Sequence, residues 1–128
     1  MNPEKLLSQH SLRNGLHLEF WDLSKALAGD RWQVVMEARV AIAVTADTLP
    51  AELRAQVAQV IAALGQVVVF TKQEVRNFVA AGEVAVILKL IEEQLLTSLR
   101  GYLGHPDFAA RFIRKKYADQ QRVRGLNH

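Results

Sequence analysis

The sequence predicts an α+β fold: a two-layer sandwich whose three-stranded antiparallel sheet is covered on one face by helices. Three observations predict it. Long stretches near the N-terminus alternate apolar and polar residues with period two. Later stretches repeat apolar residues with helical spacing. Glycine or proline stands at or near most of the junctions between them. The element order reads β-β-α-β-α-α.

Residues 1–13 are polar and aperiodic, and the sequence predicts a flexible segment or a short helical turn there. From Gly15, Leu16, Leu18 and Phe20 alternate with His17, Glu19 and Trp21, the pattern of a half-buried strand. The stretch Ser24 to Asp30 reads as a loop that turns at Gly29-Asp30. The strongest strand signal follows. Trp32, Val34, Met36, Ala38, Val40, Ile42 and Val44 share one face, and Gln33, Glu37 and Arg39 share the other. Two such strands joined by a short loop form an antiparallel hairpin with one dry and one wetter face.

Pro50 suits a first helical turn, with Asp47 or Thr48 as its cap. Leu53, Val57, Val60, Ile61 and Leu64 then fall on one helical face, and Gly65 is the stop. The run QVVVFTKQEVRNFV has two readings. As one strand, it places Val67, Val69, Thr71, Val75 and Val79 on one face and Lys72, Glu74 and Arg76 on the other. Alternatively the strand ends at Phe70, and TKQE is a capping box that opens a helix. The matching length of the earlier strands and the nearby Gly82 favour the strand.

Residues 83–103 read as a long helix with Val84, Ile87, Leu88, Ile91, Leu95, Leu99 and Tyr102 as its core stripe. Gly104 ends it, and a last helix runs from about Pro106 to Gln121. Gly101, inside the long helix, is a candidate for close backbone approach. A length of 128 residues suits a single domain, with 122–128 flexible at its end.

Function is less legible. The chain has no cysteine, which removes disulfides, thiol catalysis and cysteine metal sites. Its four histidines, His10, His17, His105 and His128, show no metal-ligand spacing, and no nucleophile elbow, phosphate loop or dinucleotide fingerprint occurs. No catalytic residue, cofactor or metal is therefore assigned. The absence of a long apolar segment or a secretory leader pattern predicts a cytoplasmic protein with no membrane contact.

Three surfaces remain. On the polar sheet face, the alternation groups Glu19, Trp21, Glu37, Arg39, Glu74 and Arg76, with His17 and Lys72, where opposite charges can pair across strands. On the long helix, Val86, Leu90, Leu96 and Leu103 lie off the core stripe and suggest a dimer interface. The third surface is the basic end. Residues 100–128 carry seven basic and two acidic residues, whereas residues 1–99 carry nine and eleven. Arg114, Lys115, Arg122 and Arg124 form its polyanion-binding candidate, while Arg111 has Asp107 at i−4. Lys116 falls within the apolar arc of that helix, where it must snorkel or find a carboxylate. Together these predict a non-enzymatic interaction domain that forms a homodimer. The alternative is a protein that uses its basic end to bind nucleic acid or an acidic protein.

Overall fold

Strand β4 (Arg31–Ala43) organises the sheet, because it alone combines length with an unbroken apolar face. Val34, Met36, Ala38, Val40 and Ile42 are all fully buried on that face. The structure, a computed structural model, describes residues 4–126. It is an α+β fold with β1 (Lys5–Ser11), β2 (His17–Asp22), β3 (Lys25–Ala28) and β5 (Val67–Ala80) as the other strands. The helices are α1 (Val57–Leu64), α2 (Val84–Leu103) and α3 (Phe108–Leu126), and short 3-10 turns precede α1 and α2. Among the described residues, no helix is long and apolar enough to cross a membrane.

The sheet is larger than the three strands expected. β1 pairs antiparallel with β2, β2 and β3 pair antiparallel with β4, and β5 also pairs with β4. β2 and β3 form one kinked arm, because Leu18↔Val40 and Lys25↔Gln33 belong to the same register. At the kink, the Val35 N–H donates to Ser24 Oγ at 3.0 Å, so a hydroxyl replaces a backbone acceptor. The Ser24 N–H in turn donates to Asp22 Oδ1 at 2.9 Å, which holds the bend. The loop to β4 thus shrinks to Gly29-Asp30, with Gly29 at φ 59°.

Residues 5–11, expected to be loose, form an edge strand. The register shifts between Leu6 and Ser8, so one extra residue breaks the alternation that would have marked it. Ser8 and His10 oppose the buried Phe20 and Leu18. They bond to each other at 3.2 Å, and the His10 ring meets Phe20 edge-on at 5.7 Å. Polar residues on the inward side hide the strand from a hydrophobic pattern. Helix α3, expected to end near Gln121, continues to Leu126. Of the other segments expected to be flexible, residues 1–3 and 127–128 lie outside the described residues.

The chain falls into two compact units: residues 1–40 with 71–104, and residues 41–70 with 105–128. In the first, α2 buries Leu88, Ile91, Leu95, Leu99 and Leu103. Leu103 rather than the exposed Tyr102 completes this stripe, one full turn after Leu99. The turn between β1 and β2 closes the C-terminal end of the helix. Asn14 Nδ2 donates to the Leu103 carbonyl at 2.8 Å, and Asn14 Oδ1 accepts from the Leu16 N–H at 3.1 Å. The close backbone approach expected at Gly101 occurs instead at Gly104, where a Cβ would lie 3.4 Å from the Arg13 nitrogen.

In the second unit, the helix expected from Pro50 is broken. Residues Ala51–Gln56 form a 3-10 turn, and only Val57–Leu64 is α-helical. Thr48 does not cap it. Its hydroxyl accepts from the Thr45 N–H at 2.9 Å and donates to the Ala43 carbonyl at 2.6 Å, which closes the preceding turn. Gly65 ends α1 as expected, at φ 91°. Phe70, Phe108 and Phe112 form a ring cluster with centroids 5.8–5.9 Å apart.

The Asn14 side chain serves two backbone groups at once, so its loss leaves an α2 carbonyl and the Leu16 N–H unserved. Asn14→Ala is expected to cost about 1–3 kcal/mol of stability. Urea unfolding of the purified variant measures this, and a change below a few tenths of a kcal/mol would contradict the role.

Candidate functional site

The polar face of the sheet in the first unit carries its most organised cluster of charges. The β2–β4 register sets Glu19 opposite Arg39 and Trp21 opposite Glu37. Arg39 lies 4.7 Å from the centroid of the Trp21 ring, a cation–π stack. Its guanidinium bonds Glu37 at 2.5 Å and Glu4 at 3.0 Å. The second Glu37 oxygen accepts from Gln73 Nε2 at 2.7 Å, and the Trp21 indole N–H donates to Glu19 at 3.1 Å.

These partners decide the charge state of Glu37. Burial pushes its carboxyl up, but the Gln73 hydrogen bond, the Arg39 hydrogen bond and the Arg39 charge outweigh this and hold it below the ordinary range. Arg39 is pushed the opposite way: desolvation lowers it, and its bonds to Glu37 and Glu4 raise it further. Both groups are therefore charged at neutral pH. Glu37 has both oxygens engaged and no proton to give, which does not suit a general acid.

The expected membership of this face needs one correction. Gln73 donates to Glu37 and Gln33 donates to Asn77, so the odd-numbered residues of β5 belong to it. Glu74, Arg76 and Lys72 have the other parity and leave it. Glu74 and Arg76 bond to each other at 3.2 Å instead. The same parity buries Val68 and leaves Val67 and Val69 exposed, the reverse of the expected register. The structure brings Glu19, Trp21, Glu37 and Arg39 together, with Glu4 and Gln73 as members the pattern did not reveal.

The α2 candidates separate. Val86 is 69% exposed and Leu90 48%, and both border a shallow hollow with Ala85, Lys89 and Glu93. Leu96 is half-buried, and Leu103 belongs to the core at 0% exposure. A larger cleft of about 560 Å³ lies beside the first turns of α2, lined by Leu7, Trp32, Val84 and Leu88 with Lys5 and Asp22. Only the fold brings these residues together, so no local sequence signal marked it.

Two of the four basic candidates on α3, Arg114 and Arg122, are paired with carboxylates. Arg114 bonds Glu52 at 2.6 Å, Arg122 bonds Asp119 at 3.3 Å, and Arg111 bonds Asp107 at 3.7 Å. The Arg114 hydrogen bond holds Glu52 below the ordinary carboxylate range. Lys116 finds no carboxylate among the described residues; it is exposed and rests 5.4 Å from the Phe112 ring centroid. Among the described residues, no carboxylate pairs with Lys115 or Arg124. The described residues also hold no group of three or more His, Asp or Glu able to bind a metal ion.

Because the folded state holds Glu37 below its ordinary value of 4.5, its ionised form contributes stability above that value. The contribution is lost as pH falls through the lowered value. Urea unfolding should therefore show Glu37→Gln less stable than the native protein at about pH 7, with the gap narrowing as pH falls below 4.5. A gap independent of pH would remove the ion pair as its cause.

No family model, curated protein or solved structure matches the chain.

Proposed function

We propose that the protein is a non-catalytic interaction domain that self-associates. One observation carries this reading: Val86 and Leu90 project from adjacent turns of α2 into solvent. Neither belongs to the buried stripe of that helix. Large apolar side chains grouped on an otherwise polar helix face are characteristic of surfaces that other proteins cover. Lys89 and Glu93 flank them, so the strip combines an apolar centre with charges of both signs. A second copy suits such a surface, because closed two-fold dimers are the commonest soluble assemblies.

Binding of nucleic acid or an acidic protein through α3 ranks second. Three of its basic side chains are already paired with carboxylates, and among the described residues Lys115, Lys116 and Arg124 have no carboxylate partner. Three such cations supply little of the phosphate neutralisation that non-specific binding requires.

Light scattering separates these readings from a monomeric protein. At micromolar concentration the self-associating domain should show about twice the chain mass of 14.3 kDa. A monomer up to the highest soluble concentration would sink the reading. Fluorescence anisotropy with a mixed-sequence duplex should show no binding at low salt, and binding that Lys115→Ala weakens would promote the second reading.

A further inference from the structure

The outer edge of β5 is the longest unpaired backbone edge in the sheet. β5 spans fourteen residues and pairs with β4 on one side, and among the described residues no strand pairs with its other side. Thr71, Lys72, Gln73, Val75, Arg76 and Asn77 are all exposed there. The Val44 N–H donates to the Gln66 carbonyl, and the Glu37–Gln73 and Gln33–Asn77 bonds keep the same register. Even-numbered residues therefore turn their N–H and C=O towards β4, and Thr71, Gln73 and Val75 turn theirs outward. The regular stretch ends near Phe78, where a φ of 59° breaks the alternation.

We infer that this edge is the seam of self-association: β5 of one copy pairs antiparallel with β5 of a second, centred on Gln73. The inference rests on the self-associating reading above and gives it a second surface, beside the α2 strip.

Symmetry and charge select the occupant. Two antiparallel strands related by a two-fold axis through the sheet pair only residues that point to the same face. Side chains alternate faces, so the axis must pass through a residue position. Centred on Gln73, the pairing sets Lys72 opposite Glu74 of the other copy, twice over, and Thr71 opposite Val75. Opposite charges and β-branched residues directly across from each other stabilise antiparallel pairs. Centring on Glu74 instead opposes two glutamates and sets Lys72 against Arg76. Centring on Lys72 opposes two lysines. Both of these carry like charges face to face, which destabilises them; centring on Val75 sets Glu74 opposite Arg76, but it carries the pairing into the break at Phe78. The segment TKQEV is thus complementary to itself in one register, which an arbitrary partner strand would not match. Thr71, Gln73 and Val75 supply about six backbone hydrogen bonds across the seam, with no rearrangement of the bonds to β4, once the Val75 carbonyl exchanges the bond it accepts from Arg76 Nη1 at 3.0 Å.

Charge reversal tests this, because the exchanged pair lies within one chain. Lys72→Glu alone opposes glutamates at both pairs, and Glu74→Lys alone opposes lysines. Each should weaken the dimer by about tenfold or more in sedimentation or light scattering over a concentration series, with unchanged circular dichroism. The double variant Lys72→Glu/Glu74→Lys restores both pairs and should restore the dimer. Hydrogen exchange gives a second readout: the outward amides of Thr71, Gln73 and Val75 should be protected in the native dimer and exposed in the single variants. Single variants that stay dimeric, a double variant that stays monomeric, or fast exchange at those amides in the dimer would each overturn the seam. If Leu90→Glu then dissociates the dimer, self-association stands and its seat is α2. If the native protein is a monomer throughout, the seam and the self-associating reading fail together.

Discussion

Burial of one face of β4 is the constraint on which the remaining sheet depends. Its alternate residues from Val34 to Ile42 have no exposure, so a slip of one residue would put every apolar side chain into solvent. That penalty fixes the register of β2 and β3 along one side of β4 and of β5 along the other. β1 follows through β2. Where the pairing must deviate, at Leu23-Ser24, a hydroxyl and a carboxylate supply the missing hydrogen-bond partners. Among the described residues, no buried side-chain nitrogen or oxygen lacks a partner. The kink is therefore tolerated at little cost in unsatisfied polar groups.

Legibility followed the same constraint. Strand β4, the stop at Gly65 and the extent of α2 could be read from sequence because alternation, a left-handed glycine and a helical stripe act locally. β1 could not, because a bulge at Leu7 breaks its period and its inward positions hold Ser8 and His10. The face of β5 was misread for a related reason. Val67, Val68 and Val69 are equally apolar, so only pairing with β4 determines that Val68 turns inward. The split of the first helix was hidden because Leu53 continues the apolar spacing across a 3-10 turn. Periodicity reports what a face contains but not which neighbour it meets.

The same limit governs the candidate sites. Trp21, Glu19, Glu37 and Arg39 could be grouped because each lies on a strand whose register the buried face fixes. Their arrangement then explains their composition. The arginine is sandwiched between an indole and two carboxylates, so its hydrogen-bonding capacity is largely spent inside the cluster. Such a lattice ties the N-terminal residue Glu4, the β2–β4 hairpin and β5 to one charge. Its contribution is cross-strand cohesion, and a ligand would have to compete with bonds already formed.

The β5 edge presents the opposite situation: among the described residues no strand pairs with its outer side, and only the Val75 carbonyl is engaged there, by the Arg76 guanidinium at 3.0 Å. Long exposed edges invite pairing with any extended segment, and proteins restrain them with charge. Lys72, Glu74 and Arg76 provide that charge in three successive same-face positions. Three like charges would only repel. A central carboxylate between two cations instead discourages strands lacking the complementary order, while leaving open to an identical strand the registers centred on Gln73 and on Val75, of which the second runs into the break at Phe78. Protection of the edge and selection of its partner are thus two consequences of one charge sequence. The exposed Val75 adds apolar area without which charge alone would contribute little in water.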